Sequence, residues 1–301
     1  MIGRRQFGMG LGGTILGLAG LVRGGDAVVP VRNRLAFGGA ALLREIRTIE
    51  LASGGRLGVA VRDTGDGRGF AWRGGERFPM CSTFKVLLAG LVLARIDRGE
   101  EWIDRALPVA ASDIIDPSPA TKRHVGASMT IEAMIEAILT LSDNGAANLL
   151  LATVGGPAAV TSFVRTLGDP ATRLDRIEPA LNEAGPRDPR DTTTPSAMLG
   201  NLAALLLGSA LRPASRARLT GWMIACRTGD ARLHAGLPAG WRIGDKTGTG
   251  DRGSSNDIAI LWPPHGAPLL VSAYLTETQA DPNRRNAALA AVGRAVAAVR
   301  G

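Results

Sequence analysis

The sequence predicts an α/β plus all-α protein. An antiparallel sheet is flanked by N- and C-terminal helices, a mostly helical second domain is inserted into it, and an active site lies in the crevice between. Three observations carry this expectation. Strand-like alternation occurs only near the two ends of the chain, the long middle repeats with helical spacing, and further helical segments stand at both extremes. The expected division is an export signal at 1–27, a discontinuous α/β domain formed by 28–80 and 225–301, and a helical domain at 81–224 that includes a loop at 173–191.

Taken in order, Arg4-Arg5-Gln6-Phe7 precedes an apolar, glycine-rich run from Gly8 to Val22, and Gly25-Asp26-Ala27 offers small residues for cleavage. The run is short for a membrane span. Paired arginines followed by Phe match the twin-arginine export pattern. The expected product is exported, periplasmic or secreted, with no stable membrane association once the signal is gone. Leu35 to Leu51 reads as a helix with Leu42, Leu43, Ile46 and Ile49 on its apolar side. Arg56 to Asp63 alternates as a strand, Thr64-Gly65-Asp66-Gly67 turns, and Phe70 to Trp72 begins the return strand of a hairpin. Helices follow at 82–98, 130–141, 143–154, 157–167, 195–207 and 213–224. Strand character returns at Trp241 to Thr247, Asn256 to Trp262 and Leu269 to Thr276, and an alanine-rich helix runs from Asp281 to Val299. The long irregular stretch from Gly168 to Thr194 needs a functional reason to exist.

Composition narrows the function. A chain of 301 residues with 45% hydrophobic and 21% charged residues buries a sizeable core. The charge of +8 is spread among scattered arginines and 27 acids, and aromatics make up only 4%, so neither a basic stripe nor a stacking platform for nucleic acid is present. Cys81 and Cys226 form no Cys-x-x-Cys; two free thiols are the default, and the sequence leaves open whether they pair. His124, His234 and His265 stand apart, without metal-ligand spacing. No metal or organic cofactor is expected, and the chain is expected to be monomeric.

The chemistry gathers around Pro79-Met80-Cys81-Ser82-Thr83-Phe84-Lys85 and the apolar run after it. Residues three apart share a helical face, so Lys85 lies beside the Ser82 hydroxyl. A helix N-terminus adds unpaired N–H groups and partial positive charge, which suits a nucleophile and its oxyanion. The spacing alone is common, because hydroxyl residues cap helices and lysine populates their surfaces. Lysine usage strengthens it. Lys occurs only at 85, 122 and 246 among 35 basic residues, and Lys, unlike Arg, gives up its proton when desolvated. Three further stretches fit the same site. They are Ser142-Asp143-Asn144 at a helix junction, Lys246-Thr247-Gly248-Thr249 at a strand end, and Glu178-Pro179-Ala180-Leu181-Asn182 inside the long loop.

Together these motifs resemble the signature set of serine β-lactamases and penicillin-binding proteins, and the glutamate-bearing loop is similar to that of class A β-lactamases. The resemblance covers the chain from its first helix to its last and implies a small-molecule β-lactam substrate. It implies that Ser82 is acylated, that Lys85 takes or relays its proton, and that the backbone N–H groups of Ser82 and Thr249 form the oxyanion hole. It further implies that Ser142 protonates the departing β-lactam nitrogen and that Asn144 binds the acylamino carbonyl. Lys246, Thr247, Gly248 and Thr249 would hold the substrate carboxylate. Glu178 would activate the deacylating water with Asn182 positioning it, and Arg176 with Asp191 would close the loop, supported by Arg173.

The chain departs from its relatives in places. Where many carry an arginine on the strand after Lys-Thr-Gly, Ser255 stands here, so Arg232 is expected to take over carboxylate binding. Pro117 stands where relatives place an aromatic wall. Gly250 occupies the site of a cysteine that some carbapenem-hydrolysing relatives bridge to the residue before the nucleophile, so Cys81 has no such partner. The competing readings are a D-alanyl-D-alanine peptidase, which should lack Glu178, and a penicillin sensor, which should stop after one acylation. A tyrosine base beside the nucleophile is disfavoured because the only tyrosine, Tyr274, lies in a late strand.

Overall fold

The two ends of the chain meet in one sheet. The computed structural model describes residues 37–183 and 185–300; the expected export signal and the first residues of the first helix lie outside these. Helix α1 (Gly39–Ser53) leads into β1 (Arg56–Asp63) and β2 (Gly69–Trp72). A short β3 (Phe78–Pro79) precedes α2 (Phe84–Asp97), β4 (Ala106–Pro108), β5 (Ser128–Thr130), α3 (Ile131–Thr140), α4 (Asn144–Val154) and α5 (Pro157–Thr166). The chain continues through β6 (Thr192–Thr193), α6 (Pro195–Leu206) and α7 (Pro213–Ile224), then returns to strands β7 (Arg242–Thr249), β8 (Ser255–Trp262) and β9 (Leu269–Thr276) and closes with α8 (Pro282–Ala298). The order β2-β1-β9-β8-β7 places the N-terminal hairpin beside the last strand, with every pair antiparallel.

The alternation of strand side chains divides the core. On β9, Leu269, Val271, Ala273 and Leu275 join a cluster with Leu42, Ile46 and Ile49 of α1 and Leu289, Val292 and Val296 of α8. Leu270 and Tyr274, pointing the other way, join a cluster that takes in the apolar faces of α2 to α7. A sheet covered on both faces explains why β8 and β9 read as nearly unbroken apolar runs rather than as alternating ones. The expected fold class is the observed one.

Helix α2 runs through the second cluster, and every residue from Phe84 to Ala94 is buried. Each fully buried Val or Leu there is worth about 1.5–3 kcal/mol relative to exposure. Gly90 permits the close approach of α6, since a Cβ at that position would come within 2.7 Å of Leu205 Cδ2. Helix starts follow residue chemistry. Thr130, Asp143, Thr194 and Asp281 each accept a backbone N–H with their side chain, and Pro stands in the first turn of α5, α6 and α8. The short ladders β3–β6 and β4–β5 have no counterpart in the strands expected from periodicity, because runs of two or three residues show no period to read.

Candidate active site

Ser82 sits in a 3₁₀ turn, Cys81–Thr83, rather than in the first turn of α2. The turn is held from behind. Met80 O accepts Thr83 N at 3.2 Å, Thr83 Oγ1 at 2.8 Å and Asn256 Nδ2 at 3.1 Å, while Thr83 Oγ1 lies 3.2 Å from the buried Tyr274 hydroxyl. Cys81 takes φ 45° to make the corner. Gly248 lets β7 press against it, since a Cβ there would meet Met80 O at 2.7 Å. The turn continues into α2 and carries Lys85 to the expected place, with Nζ donating to Ser82 Oγ at 3.1 Å.

Lys85 is fully buried and saturated with acceptors. Besides Ser82 it donates to Asn144 Oδ1 at 2.6 Å and Ser142 O at 2.8 Å, and it lies 3.0 Å from Glu178 Oε1. Burial pulls its pKa below the usual lysine value, and the charge and hydrogen bond of Glu178 oppose that pull. Ser142 has φ 59°, and its hydroxyl receives Lys246 Nζ at 3.0 Å and Lys85 Nζ at 3.4 Å. Burial, aided by repulsion from Lys85, pushes the Lys246 pKa down to about 7. Two amines and one carboxylate therefore surround the hydroxyl pair, an arrangement that receives a further anion favourably.

The corner bearing Ser142 is fixed by its neighbour. Buried Asp143 accepts Ala146 N at 2.9 Å and Thr121 Oγ1 at 2.6 Å through Oδ1, and Ala120 N at 2.8 Å and Thr121 N at 2.9 Å through Oδ2. It thus caps α4 and ties that helix to the preceding loop. Thr247 Oγ1 lies 2.6 Å from Thr228 Oγ1, and Arg232 donates to Thr249 Oγ1 at 2.6 Å, Gly248 O at 2.8 Å and Asn256 O at 2.6 Å. Behind this strand Asp245 and Asp257 are buried together, and desolvation raises both carboxyls above the usual range.

The loop at 173–191 delivers Glu178. Asp191, with 1% of its side chain exposed, accepts Asp175 N at 2.7 Å and Arg176 N at 2.9 Å and pairs with Arg176 Nε at 2.6 Å. Arg173 does not reach Asp191 with its side chain; it pairs with Asp175 at 2.5 Å, while its backbone N–H reaches Thr192 O at 2.9 Å. Leu174 and Leu181 pin the loop into the helical cluster. Glu178, joined to Pro179 by a cis peptide, has Oε1 3.5 Å from Ser82 Oγ and receives Asn182 Nδ2 on Oε2 at 2.5 Å.

All eleven expected site residues converge. Ser82, Ser142, Asn144, Asn182, Arg232, Thr247, Gly248 and Thr249 line a cavity of about 410 Å³, and Lys85, Glu178 and Lys246 are buried against its wall. Sequence reasoning missed Asn148, whose amide brackets the Glu178 backbone: Oδ1 accepts Glu178 N at 3.0 Å and Nδ2 donates to Glu178 O at 2.9 Å. Its signal was present, because Asn144 and Asn148 stand four apart on one helix. Thr228 offered no such signal. Both cysteines are free, which settles the pairing that the sequence left open, and burial raises their thiols to about 12 for Cys81 and about 11 for Cys226. Among the described residues no cluster of ligating side chains could hold a metal.

Comparison with known proteins agrees with this geometry. The model of a family described as "Beta-lactamase enzyme family" matches residues 41–299. The chain is 45% identical to β-lactamase OXY-1 of Klebsiella oxytoca over 256 residues, covering 85% of this chain and 88% of that protein. It is 47% identical to β-lactamase L2 of Stenotrophomonas maltophilia over 251 residues, 83% of each. Among solved structures, an ancestral (GNCA) class A β-lactamase matches with TM-score 0.84 at 60% identity, covering 85% of this chain and 98% of that one. The class A β-lactamase of the last common ancestor of Gram-negative bacteria (GNCA4) matches with TM-score 0.86 at 58% identity, covering 87% and 100%.

Proposed function

The chain belongs to the class A serine β-lactamases, hydrolases of the cyclic amide of β-lactam antibiotics, and from that premise we propose that it works through a covalent acyl-enzyme on Ser82, cleared by a water that Glu178 activates. The observation that carries this reading is the triangle of Ser82 Oγ, Lys85 Nζ and Glu178 Oε1, with sides of 3.1, 3.0 and 3.5 Å. Two acceptors therefore flank the hydroxyl proton, the Lys85 amine when neutral and the Glu178 carboxylate.

In acylation the proton leaves Oγ to one of these acceptors as Oγ bonds to the β-lactam carbonyl carbon. The backbone N–H groups of Ser82 and Thr249 receive the oxyanion. When the C–N bond breaks, the Ser142 hydroxyl gives its proton to nitrogen and regains one from Lys246 or Lys85, both already donating to it. Lys246, Thr247, Thr249 and Arg232 hold the ring carboxylate, and Asn144 holds the acylamino carbonyl. In deacylation a water attacks the ester carbonyl carbon and passes its proton to Glu178. The ester C–O bond then breaks and Oγ takes that proton back from Glu178, directly or by way of Lys85, which lies 3.1 Å from Oγ and 3.0 Å from Glu178 Oε1. Asn182 suits the task of orienting that water, since one end of its amide binds Glu178 and its buried Oδ1 has no protein partner among the described residues.

A peptidase or a penicillin sensor has no use for a carboxylate this close to the nucleophile, which favours turnover. Export to the periplasm or medium as a monomer belongs to the same reading and rests on the Arg4-Arg5 segment and the family. Nitrocefin assays test the mechanism. Wild type should hydrolyse continuously, and Glu178→Ala should release one burst and accumulate an adduct on Ser82, seen by intact mass. Wild-type turnover by Glu178→Ala would remove Glu178 from the deacylation step.

A further inference from the structure

A second cavity, of about 120 Å³, lies beside the return limb of the loop at 173–191, and none of its lining residues lines the catalytic cavity. It is far smaller than the roughly 300–1,000 Å³ of sites for drug-sized ligands, so it suits a small ion. Four guanidiniums line it: Arg56 of β1, Arg77 just before β3, and Arg187 and Arg190 of the loop. Three carboxylates line it too, and each is already engaged. Glu277 pairs with Arg56 at 3.0 Å, Asp188 with Arg190 at 2.7 Å and Glu183 with Arg176 at 2.6 Å. What sets Arg77 and Arg187 apart is unspent donors. Arg77 Nη1 donates to neutral oxygens alone, Ala171 O at 2.8 Å and Thr192 Oγ1 at 3.0 Å, which leaves Nε and Nη2 free. The Arg187 side chain has no hydrogen-bond or ion-pair partner among the described residues.

We propose that this cavity binds inorganic phosphate, held between Arg77 and Arg187. A guanidinium presents N–H groups in a planar fork that matches two oxygens of an oxoanion, and two such forks share one tetrahedral ion. The bound ion ties together two segments that matter to the catalytic cavity. Arg77 stands on the chain that runs through β3 to Ser82, and Arg187 on the limb of the loop that ends at Asp191. Phosphate there adds a second clamp to the loop beside the Arg176–Asp191 pair. The site is open to water, since the neighbouring Arg190 side chain is half exposed, so added salt screens the binding. The inference stands apart from the hydrolytic mechanism and does not rest on it.

Thermal melting in increasing inorganic phosphate, with ionic strength held constant by chloride, reads the site. Near saturation the wild-type Tm should rise by about 2–4 °C. Phosphate also has access to the cations of the catalytic cavity, so Lys246→Ala serves as the control and should keep the rise. Arg187→Gln, which breaks no contact of the free protein, should lose most of it, and Arg77→Gln should do the same. Amide hydrogen exchange at Asp175 and Arg176, whose N–H groups bond to Asp191, should slow with phosphate in wild type and not in Arg187→Gln. The proposal is overturned by an equal Tm rise in wild type and Arg187→Gln, by a rise that disappears in Lys246→Ala, by no rise in wild type, or by loop exchange that phosphate leaves unchanged.

Discussion

Lys246 is the residue whose charge the cavity controls most directly. Its amine is fully buried, burial and the neighbouring Lys85 bring its pKa to about 7, and no carboxylate forms an ion pair with it among the described residues. The shift is downward, so the ammonium form is the acid-side form and is lost as pH rises through about 7. Only that form attracts the carboxylate of a β-lactam. We therefore expect kcat/KM to decline above about pH 7, since that parameter reports the free enzyme. A bound carboxylate stabilises the ammonium and raises its pKa, so the fall in kcat should come at higher pH. Lys246→Arg keeps the charge at every accessible pH and should abolish the alkaline limb of kcat/KM, at the cost of a lower plateau from poorer fit. Parallel pH profiles of the two proteins check this, and an identical limb in both would assign it to another group.

At the scale of elements, the loop at 173–191 is organised by one carboxylate. Asp191 gathers two backbone N–H groups and one guanidinium, and its own carbonyl accepts Met80 N at 2.9 Å next to the nucleophile turn. Removing its charge leaves Arg176 half-served in a partly buried setting, a change worth about 1–3 kcal/mol of local stability. Asp191→Asn should thus slow deacylation, which needs Glu178 in place, more than acylation, and stopped-flow separation of the two rates checks the difference. The same loop marks the limit of what was legible beforehand. Its ends, its glutamate and its clamp could be read from Glu178 to Asn182 and from Arg176 and Asp191. The partner of Arg173 could not, because Asp175 and Asp191 are both within reach of a flexible side chain and sequence does not rank them. Regular elements were legible wherever an apolar run persisted, as in β9 and α2. The exception is informative: Ser82 fits the pattern of a helix-opening hydroxyl, yet it lies in a tighter turn before α2, because Met80 O and Asn256 hold the chain there. Local spacing places Lys85 next to Ser82 in either geometry, which is why the motif was readable although the turn was not. Thr228 and the buried pair of Asp245 and Asp257 depend on register across strands, and no short-range pattern announces them.

For the whole molecule, the two apolar clusters on opposite faces of the sheet divide stability from chemistry. The one built with α1 and α8 lies across the sheet from α2, whereas the other encloses α2 and therefore supports Ser82 and Lys85. Leu289 of α8 and Leu88 of α2 are both fully buried, one in each cluster. Truncating either to Ala removes similar surface and opens a cavity, costing about 2–5 kcal/mol. Leu88 stands three residues after Lys85, on the same helical face, so a cavity there loosens the packing beneath the amine. We expect Leu289→Ala to lower the urea midpoint while kcat per folded molecule holds within about twofold. Leu88→Ala should lower the midpoint comparably and reduce kcat by about tenfold, because displacement of a catalytic group by a fraction of an ångström already costs rate on that scale. Unfolding curves paired with turnover, corrected for the folded fraction, separate the two. Equal losses of kcat in both variants would mean that the sheet transmits packing defects from one face to the other, and that the site depends on the entire core rather than on the cluster around α2.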